Sequence, residues 1–252
     1  MKVFSVTGFT QSGKTTTIER IIAELRSRGY SVGSVKEIHF EDFKMDKEGT
    51  NTYRHKQAGS QLVTALGYHE TDILFQEKLQ IEKVLEFYNY DYVVLEGVYN
   101  GNYPMILTAH NEQELDERWN PYVFCVSGRI SKDMREFRGV QAIDAMTDIT
   151  SLVDLIELKV YDKLPAFPPE CCSACGFSCT EMGTRILTGI SHRSECKISN
   201  GNIKLYIDEK EISMVPFVQA LLRNAVLGVV KELDGYRDNA SIKVTLGDKN
   251  DA

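Results

Sequence analysis

From residue 1 to about residue 158 the chain alternates short apolar runs rich in Val, Ile and Leu with amphipathic segments that keep one polar face. Short apolar runs between polar turns read as strands, and longer stretches with apolar positions three and four apart read as helices. The pattern predicts strands at 2–6, 31–35, 61–66, 92–95, 105–108, 122–126 and, with a weaker pattern, 141–144. Helices are predicted over 15–28, 52–58, 76–88, 112–117 and 149–158. Strands joined by helical crossovers connect right-handedly and lie side by side, so an α/β fold of three layers around a mostly parallel sheet is expected.

Past Lys159 the pattern changes. The stretch Leu164-Pro-Ala-Phe-Pro-Pro169 cannot continue a helix and reads as a boundary, which divides the chain into units 1–160 and 161–252. The second, a small α+β unit, carries a predicted helix over 180–188 and a hairpin of 203–207 with 212–214 around Asp208-Glu209-Lys210. A helix over 216–233 follows, opening on Pro216 where the missing N–H costs nothing, then a closing strand at 241–246 and a frayed tail.

The strongest chemical signal sits between the first strand and the first helix. Gly8-Phe9-Thr10-Gln11-Ser12-Gly13-Lys14-Thr15 satisfies G-x-x-x-x-G-K-[ST], and Thr16 continues into the helix. In such a loop the glycines let successive N–H groups turn inward toward phosphate oxygens. The lysine neutralises the β- and γ-phosphates, and the Ser/Thr hydroxyl ligates Mg2+. The helix adds its positive N-terminal end. A second Mg2+ element requires an acidic residue at the end of another buried strand, and Asp91-Tyr-Val-Val-Leu-Glu96-Gly97 supplies Glu96. Four apolar residues before it place Glu96 at the carboxyl edge of the sheet, where ligands of open α/β sheets bind. Between the second and third predicted strands, Lys36, His39, Asp46, Arg54 and His55 form a dense polar string suited to a substrate or switch loop.

These residues resemble the molybdopterin-guanine dinucleotide biosynthesis adaptor protein B family, MobB. The resemblance spans about residues 1–158. It rests on the phosphate loop, on Val32-Gly33-x-Val35-Lys36, on Asp46-x2-Gly49 followed by Thr52-x-Arg54 and Ala58-Gly59, and on Leu95-Glu96-Gly97. It implies a weakly hydrolytic GTP-binding protein that assists attachment of GMP to molybdopterin. The implied partners are the molybdopterin guanylyltransferase and apo-molybdoenzymes, with a homodimer left open. Carried over, Gly8 to Thr16 hold the nucleotide, Lys36, Asp46 and Arg54 belong near it, and Glu96 is the Mg2+ partner. Two departures stand out: Val98-Tyr99-Asn100 follows Gly97 where an aromatic and a lysine are common, and Glu37 follows Lys36, leaving only His39 of the usual Lys-His stretch.

Six cysteines are present, and five of them fall between Cys171 and Cys196. The spacing Cys172-x2-Cys175-x3-Cys179-x16-Cys196 sets three thiolates close together and a fourth at a distance, which suits a compact soft-ligand site. Zinc ribbons use two C-x2-C pairs, and one such pair occurs here, so a 4Fe-4S cluster is favoured over zinc. The segment also resembles the small 4Fe-4S domain of Rnf-type electron-transport subunits and corrinoid iron-sulfur proteins, through Pro169-Glu170-x-Cys172-x2-Cys175-Gly176-Phe177-x-Cys179, then Met182, Ile186-Leu187, Gly189 and Cys196. It has three residues between its second and third cysteines where that domain commonly has four, which keeps Cys171 as an alternative ligand. Cys125, inside an apolar strand, reads as a small buried hydrophobe.

With 252 residues, 42% of them hydrophobic and 26% charged, the chain can bury a core without disulfides. A net charge of -7 argues against a general nucleic-acid binder. No apolar run approaches the ~20 residues of a membrane span, and Met1 leads directly into the first strand, so the protein is expected to be cytoplasmic. No guanine-reading [NT]-K-x-D string ends a late strand; Val126-Ser127-Gly128-Arg129 occupies that place, so the choice of GTP over ATP comes from the resemblance. No arginine finger or water-orienting residue can be assigned, and hydrolysis is expected to be slow. Two rival readings are a nucleotide-gated electron carrier or metallochaperone that activates a metalloenzyme, and a scaffold that binds nucleotide only for stability.

Overall fold

The computed structural model describes residues 1–165, 174–197, 203, 205–207, 210–212, 214–237 and 242–244. In chain order the elements are β1 (Lys2–Gly8), α1 (Lys14–Ser27), β2 (Val32–Lys36), α2 (Asn51–Gln57), β3 (Leu62–Leu66), β4 (Thr71–Phe75), α3 (Ile81–Leu85), β5 (Tyr92–Glu96), β6 (Met105–Thr108), α4 (Glu112–Arg118) and β7 (Val123–Ser127). A 3-10 turn (Arg129–Lys132), β8 (Glu136–Phe137), β9 (Val140–Gln141), α5 (Ile149–Lys159), α6 (Cys179–Leu187), β10 (Leu205–Ile207), β11 (Lys210–Ile212) and α7 (Pro216–Val230) follow.

Five strands form one parallel sheet in the order β2-β5-β1-β6-β7. β5, β6 and β7 carry unbroken runs of buried residues, the mark of strands covered on both faces. One face packs on α1 and α5 through Phe4, Val6, Ile21, Leu25, Leu152 and Ile156. On the other, Leu85 of α3 and Leu115 of α4 close separate clusters over the two halves of the sheet. Among the described residues no helix is long and apolar enough to cross a membrane.

Three expected elements differ. The run at 61–66 does not enter the parallel sheet; as β3 it pairs antiparallel with β4 in a separate hairpin, where only Val63 is buried and Leu62, Leu66 and Ile73 stay exposed. A single buried anchor does not supply the continuous burial that a central parallel strand needs. The helix expected over 76–88 shrinks to α3, because Tyr88 leaves the helical path to lie against Gly33 and donate to the Ser34 carbonyl at 2.8 Å. The run at 141–144 splits. Gln141 pairs with Glu136 in the β8–β9 hairpin, Ala142 bridges Val126 in parallel, and Ile143 N donates to the Val126 carbonyl at 2.9 Å. Asp144 is thereby set just outside the end of β7.

Residues 174–197 pack directly on the sheet's core, where Met182, Leu187 and Cys196 join the cluster of Phe4, Ile21 and Leu152. α6 opens on a capping box between Ser178 and Glu181. It approaches so closely at Gly183 that a Cβ there would lie 2.6 Å from the Tyr161 hydroxyl and 2.7 Å from that of Tyr122. Tyr122 donates to the Thr180 carbonyl at 2.8 Å, and the Thr180 hydroxyl donates to Asn102 Oδ1 at 2.9 Å. The expected hairpin forms as β10 and β11, in register Leu205 with Ile212, with Lys210 inside the second strand. Residues 208–209, most of the proline stretch, residues 241 and 245–246 of the expected closing strand and the tail lie outside the described residues, and the described 242–244 are not in a strand.

Gly183→Ala is expected to destabilise the protein by about 1–3 kcal/mol through overpacking against the two phenols. The Tyr161 hydroxyl is buried without a hydrogen-bond partner among the described residues, so Tyr161→Phe should be neutral or stabilising by up to about 1 kcal/mol. Urea unfolding of the two variants against the parent chain measures both effects.

Candidate functional site

The carboxyl ends of β1, β2 and β5 and the turn after β7 open on one cavity of about 850 Å3. Its floor is the loop from Gly8 to Thr15. Gly8 has φ +149°, and a Cβ there would stand 2.0 Å from the Thr108 carbonyl oxygen, so the first glycine is required by contact with β6. Gly13, at φ +107°, forms the left-handed N-cap of α1, and Gln11 also has positive φ. Ser12 is fully buried and turns away from the cavity, with its hydroxyl 2.6 Å from Thr108 Oγ1 and donating to the Phe9 carbonyl at 2.8 Å. It braces the loop from behind.

The Lys14 amine donates to the carbonyls of Phe9 at 2.6 Å and Gly8 at 3.1 Å, which holds it over the loop. Burial pulls its pKa below the ordinary lysine range; Glu96 opposes that shift, and Arg118 and Lys36 reinforce it. Glu96 ends β5 with its side chain 12% exposed. Its Oε1 accepts the Thr15 hydroxyl at 2.7 Å and the Lys36 amine at 3.0 Å. A carboxylate and a hydroxyl brought together beside a lysine over a glycine-turned loop make an anion cradle with oxygen ligands for a hard cation at its edge.

Of the residues singled out from sequence, Gly8, Thr10, Gln11, Gly13, Lys14, Thr15, Thr16, Lys36 and Glu96 line this cavity. Asp46 and Arg54 stand outside its lining. Asp46 accepts the hydroxyls of Thr50 at 2.7 Å and Thr52 at 2.9 Å, and the Thr50 bond in particular holds its carboxyl below the usual carboxylate range. It thereby shapes the start of α2, where Thr50 caps by accepting Tyr53 N. Arg54 lies within α2.

The structure adds residues that spacing did not reveal. Arg118, the last residue of α4, lies over the Phe9 ring with its guanidinium 4.3 Å from the centroid, inside the cavity. Lys132, Asp144 and Met146 also line the cavity. No motif marks Arg118, but Asp144 closes the run predicted at 141–144, so the rule that pointed to Glu96 applies to it equally.

Cys175, Cys179 and Cys196 face a second cavity, of about 10 Å3, with Leu164 and Met182. That is room for about one water. Cys172 lies outside the described residues, and among those described no group of three or more His, Cys, Asp or Glu side chains is arranged to hold a metal ion. Cys125 is fully buried in β7, and burial pushes its thiol up to about 12.

The family profile of molybdopterin guanine dinucleotide synthesis protein B, MobB, matches residues 3–124. The molybdopterin-guanine dinucleotide biosynthesis adapter protein of Haemophilus influenzae is 30% identical over 135 residues, which cover 50% of this chain and 73% of that protein. A Methanocaldococcus jannaschii protein assigned provisionally to the same adapter role is 27% identical over 98% of this chain and 97% of its own length. Its likeness therefore runs through the cysteine-bearing part as well. The crystal structure of Bacillus subtilis MobB superposes with a TM-score of 0.55 at 23% identity, covering 65% of this chain and all of that one, and this likeness concerns the fold.

A Cβ at Gly128 would meet the Ser12 carbonyl oxygen at 2.3 Å, whereas one at Gly29, also at positive φ, would meet nothing within 4 Å. Gly29→Ala should therefore cost only the left-handed backbone strain of about 1–2 kcal/mol. Gly128→Ala should cost that plus about 1–3 kcal/mol of overpacking, an ordering that chemical denaturation resolves.

Proposed function

This chain belongs to the molybdopterin guanine dinucleotide synthesis protein B family, and on that premise we propose that it binds GTP with Mg2+ and serves as an adapter in molybdopterin guanine dinucleotide synthesis. One observation carries the reading: Thr15 and Lys36 meet on a single oxygen of Glu96, at the rim of a glycine-turned loop over which Lys14 is held. In this reading the loop amides and Lys14 hold the β- and γ-phosphates, and Thr15 and Glu96 hold the ion. Bound Mg2+ supplies charge neutralisation at the phosphates. Arg118, kept in place by the Phe9 ring, adds a cation to the same end. Asp46 and Arg54 act in this reading through the α2 segment rather than from the cavity wall.

Hydrolysis is slow in this proposal, since an adapter uses the bound nucleotide to set a conformation. The molybdopterin guanylyltransferase and apo-molybdoenzymes are the proposed partners, alongside a second copy of the chain. The exposed apolar side chains of the β3–β4 hairpin, Leu62, Leu66 and Ile73, favour a protein partner. We read residues 1–160 as the nucleotide unit and 161–252 as an appended unit seated on it through α6. The proposal that the appended unit holds a 4Fe-4S cluster rests on the cysteine spacing alone.

Titration calorimetry of the whole chain should show GTP uptake that depends on Mg2+. Lys14→Ala should weaken it by at least about a hundredfold, and Glu96→Ala should remove most of the Mg2+ dependence. Heat identical to buffer for the folded parent chain would end this reading. For the appended unit, anaerobic purification should give about four irons per chain with visible absorption, and both should be lost in Cys175→Ser; one zinc per chain and a colourless protein would replace the cluster by a zinc site.

A further inference from the structure

We propose that Asp144 is the residue that reads the base, accepting the N1–H and 2-amino donors of guanine; the inference rests on the nucleotide reading of the same cavity. The strand order fixes which end of the cavity is which. Glu96, Thr15 and Lys14 gather at β5 and β1, while Ile143 hydrogen-bonds alongside Val126 on the outer side of β7. β5 and β7 are three strand spacings apart, roughly 14 Å, so a triphosphate held at β1 and β5 leaves its nucleoside end toward β7. Asp144 lines that end of the cavity.

Its environment suits a donor-bearing ligand. Asp144 is 8% exposed and forms no ion pair among the described residues. Its Oδ1 accepts Met146 N at 3.0 Å, and its own carbonyl accepts Thr147 N at 3.1 Å and Asp148 N at 2.9 Å, so both the side chain and its backbone are held in place. A nearly buried carboxylate is costly to leave without further donors. Phosphate cannot supply them, because the charges repel. A ring edge bearing two adjacent N–H donors can, since each carboxylate oxygen keeps lone pairs beyond the one that Met146 uses. Guanine offers that edge, whereas adenine turns an acceptor nitrogen toward the same oxygens. The selectivity that the sequence could not assign to an [NT]-K-x-D string is thereby supplied from the turn leading into α5.

The test is calorimetric competition among guanosine, inosine, adenosine and xanthosine triphosphates on the whole chain. The parent protein should bind GTP most tightly, then the inosine nucleotide, which lacks the 2-amino group, then ATP. Asp144→Asn exchanges an acceptor for a donor. It should lose GTP affinity by about tenfold or more while gaining affinity for xanthosine triphosphate, whose C2 oxygen accepts the new amide N–H. A gain of that kind cannot come from misfolding, and the parent's own ranking stands whatever the variant does. Equal affinity of the parent for GTP and ATP, or an Asp144→Asn protein with unchanged preferences, overturns the role of Asp144 alone. Absence of binding by every triphosphate overturns the nucleotide reading beneath it.

Discussion

Oε1 of Glu96 receives the Thr15 hydroxyl and the Lys36 amine together, and so ties the ends of β5, α1 and β2 at one point. The parallel register sets this meeting up, since Lys36 and Val6 both lie opposite Glu96 across their neighbouring strands. Four buried residues before Glu96 fix β5 in the middle of one half of the sheet, so its carboxylate cannot withdraw into solvent. The loop is held on its far side by Ser12 against Thr108, leaving Lys14 as the cation aimed between the two anchors. A site assembled from strand ends inherits its precision from the sheet, because moving any one of its side chains means shifting a strand.

The sequence was informative where burial is continuous and where a motif has steric content. The five strands of the parallel sheet correspond to predicted apolar runs, and Gly8, Gly13, Lys14, Thr15 and Glu96, singled out from the motif and from a strand end, line one cavity. The run at 61–66 misled because Leu62 and Leu66 are apolar yet exposed, and composition alone does not reveal which face lacks a covering helix. The 76–88 segment has a helical pattern, but Tyr88 gains more by packing on Gly33 than by completing another turn. Arg118 was not legible at all, since its approach to Phe9 depends on how α4 crosses the sheet.

The cysteine-bearing part illustrates a different division. The proline-rich stretch reads as a boundary between units 1–160 and 161–252, and α6 packs into the same apolar cluster as α1 and α5. Composition reports where the chain stops repeating its β-α pattern; it does not report which surfaces then meet. The seat is specific, with Gly183 allowing two tyrosine hydroxyls to approach and Asn102 receiving Thr180. Asn102 lies in the segment that leaves Glu96 and Gly97, so the helix bearing Cys179 touches a loop that begins at the cavity over the strand ends.

The contact of Gly13 with Gly128 carries a consequence for how the site can change over generations. The two backbones approach so closely that a Cβ on Gly13 would lie 3.1 Å from Gly128 Cα, and one on Gly128 would press on Ser12. The glycine-rich turn before α1 and the turn after β7 are thus complementary surfaces with no slack, as two gear teeth are. Side chains around the β7 end of the cavity can drift one at a time, whereas the meshed pair can alter its shape only by simultaneous replacement, a far rarer event.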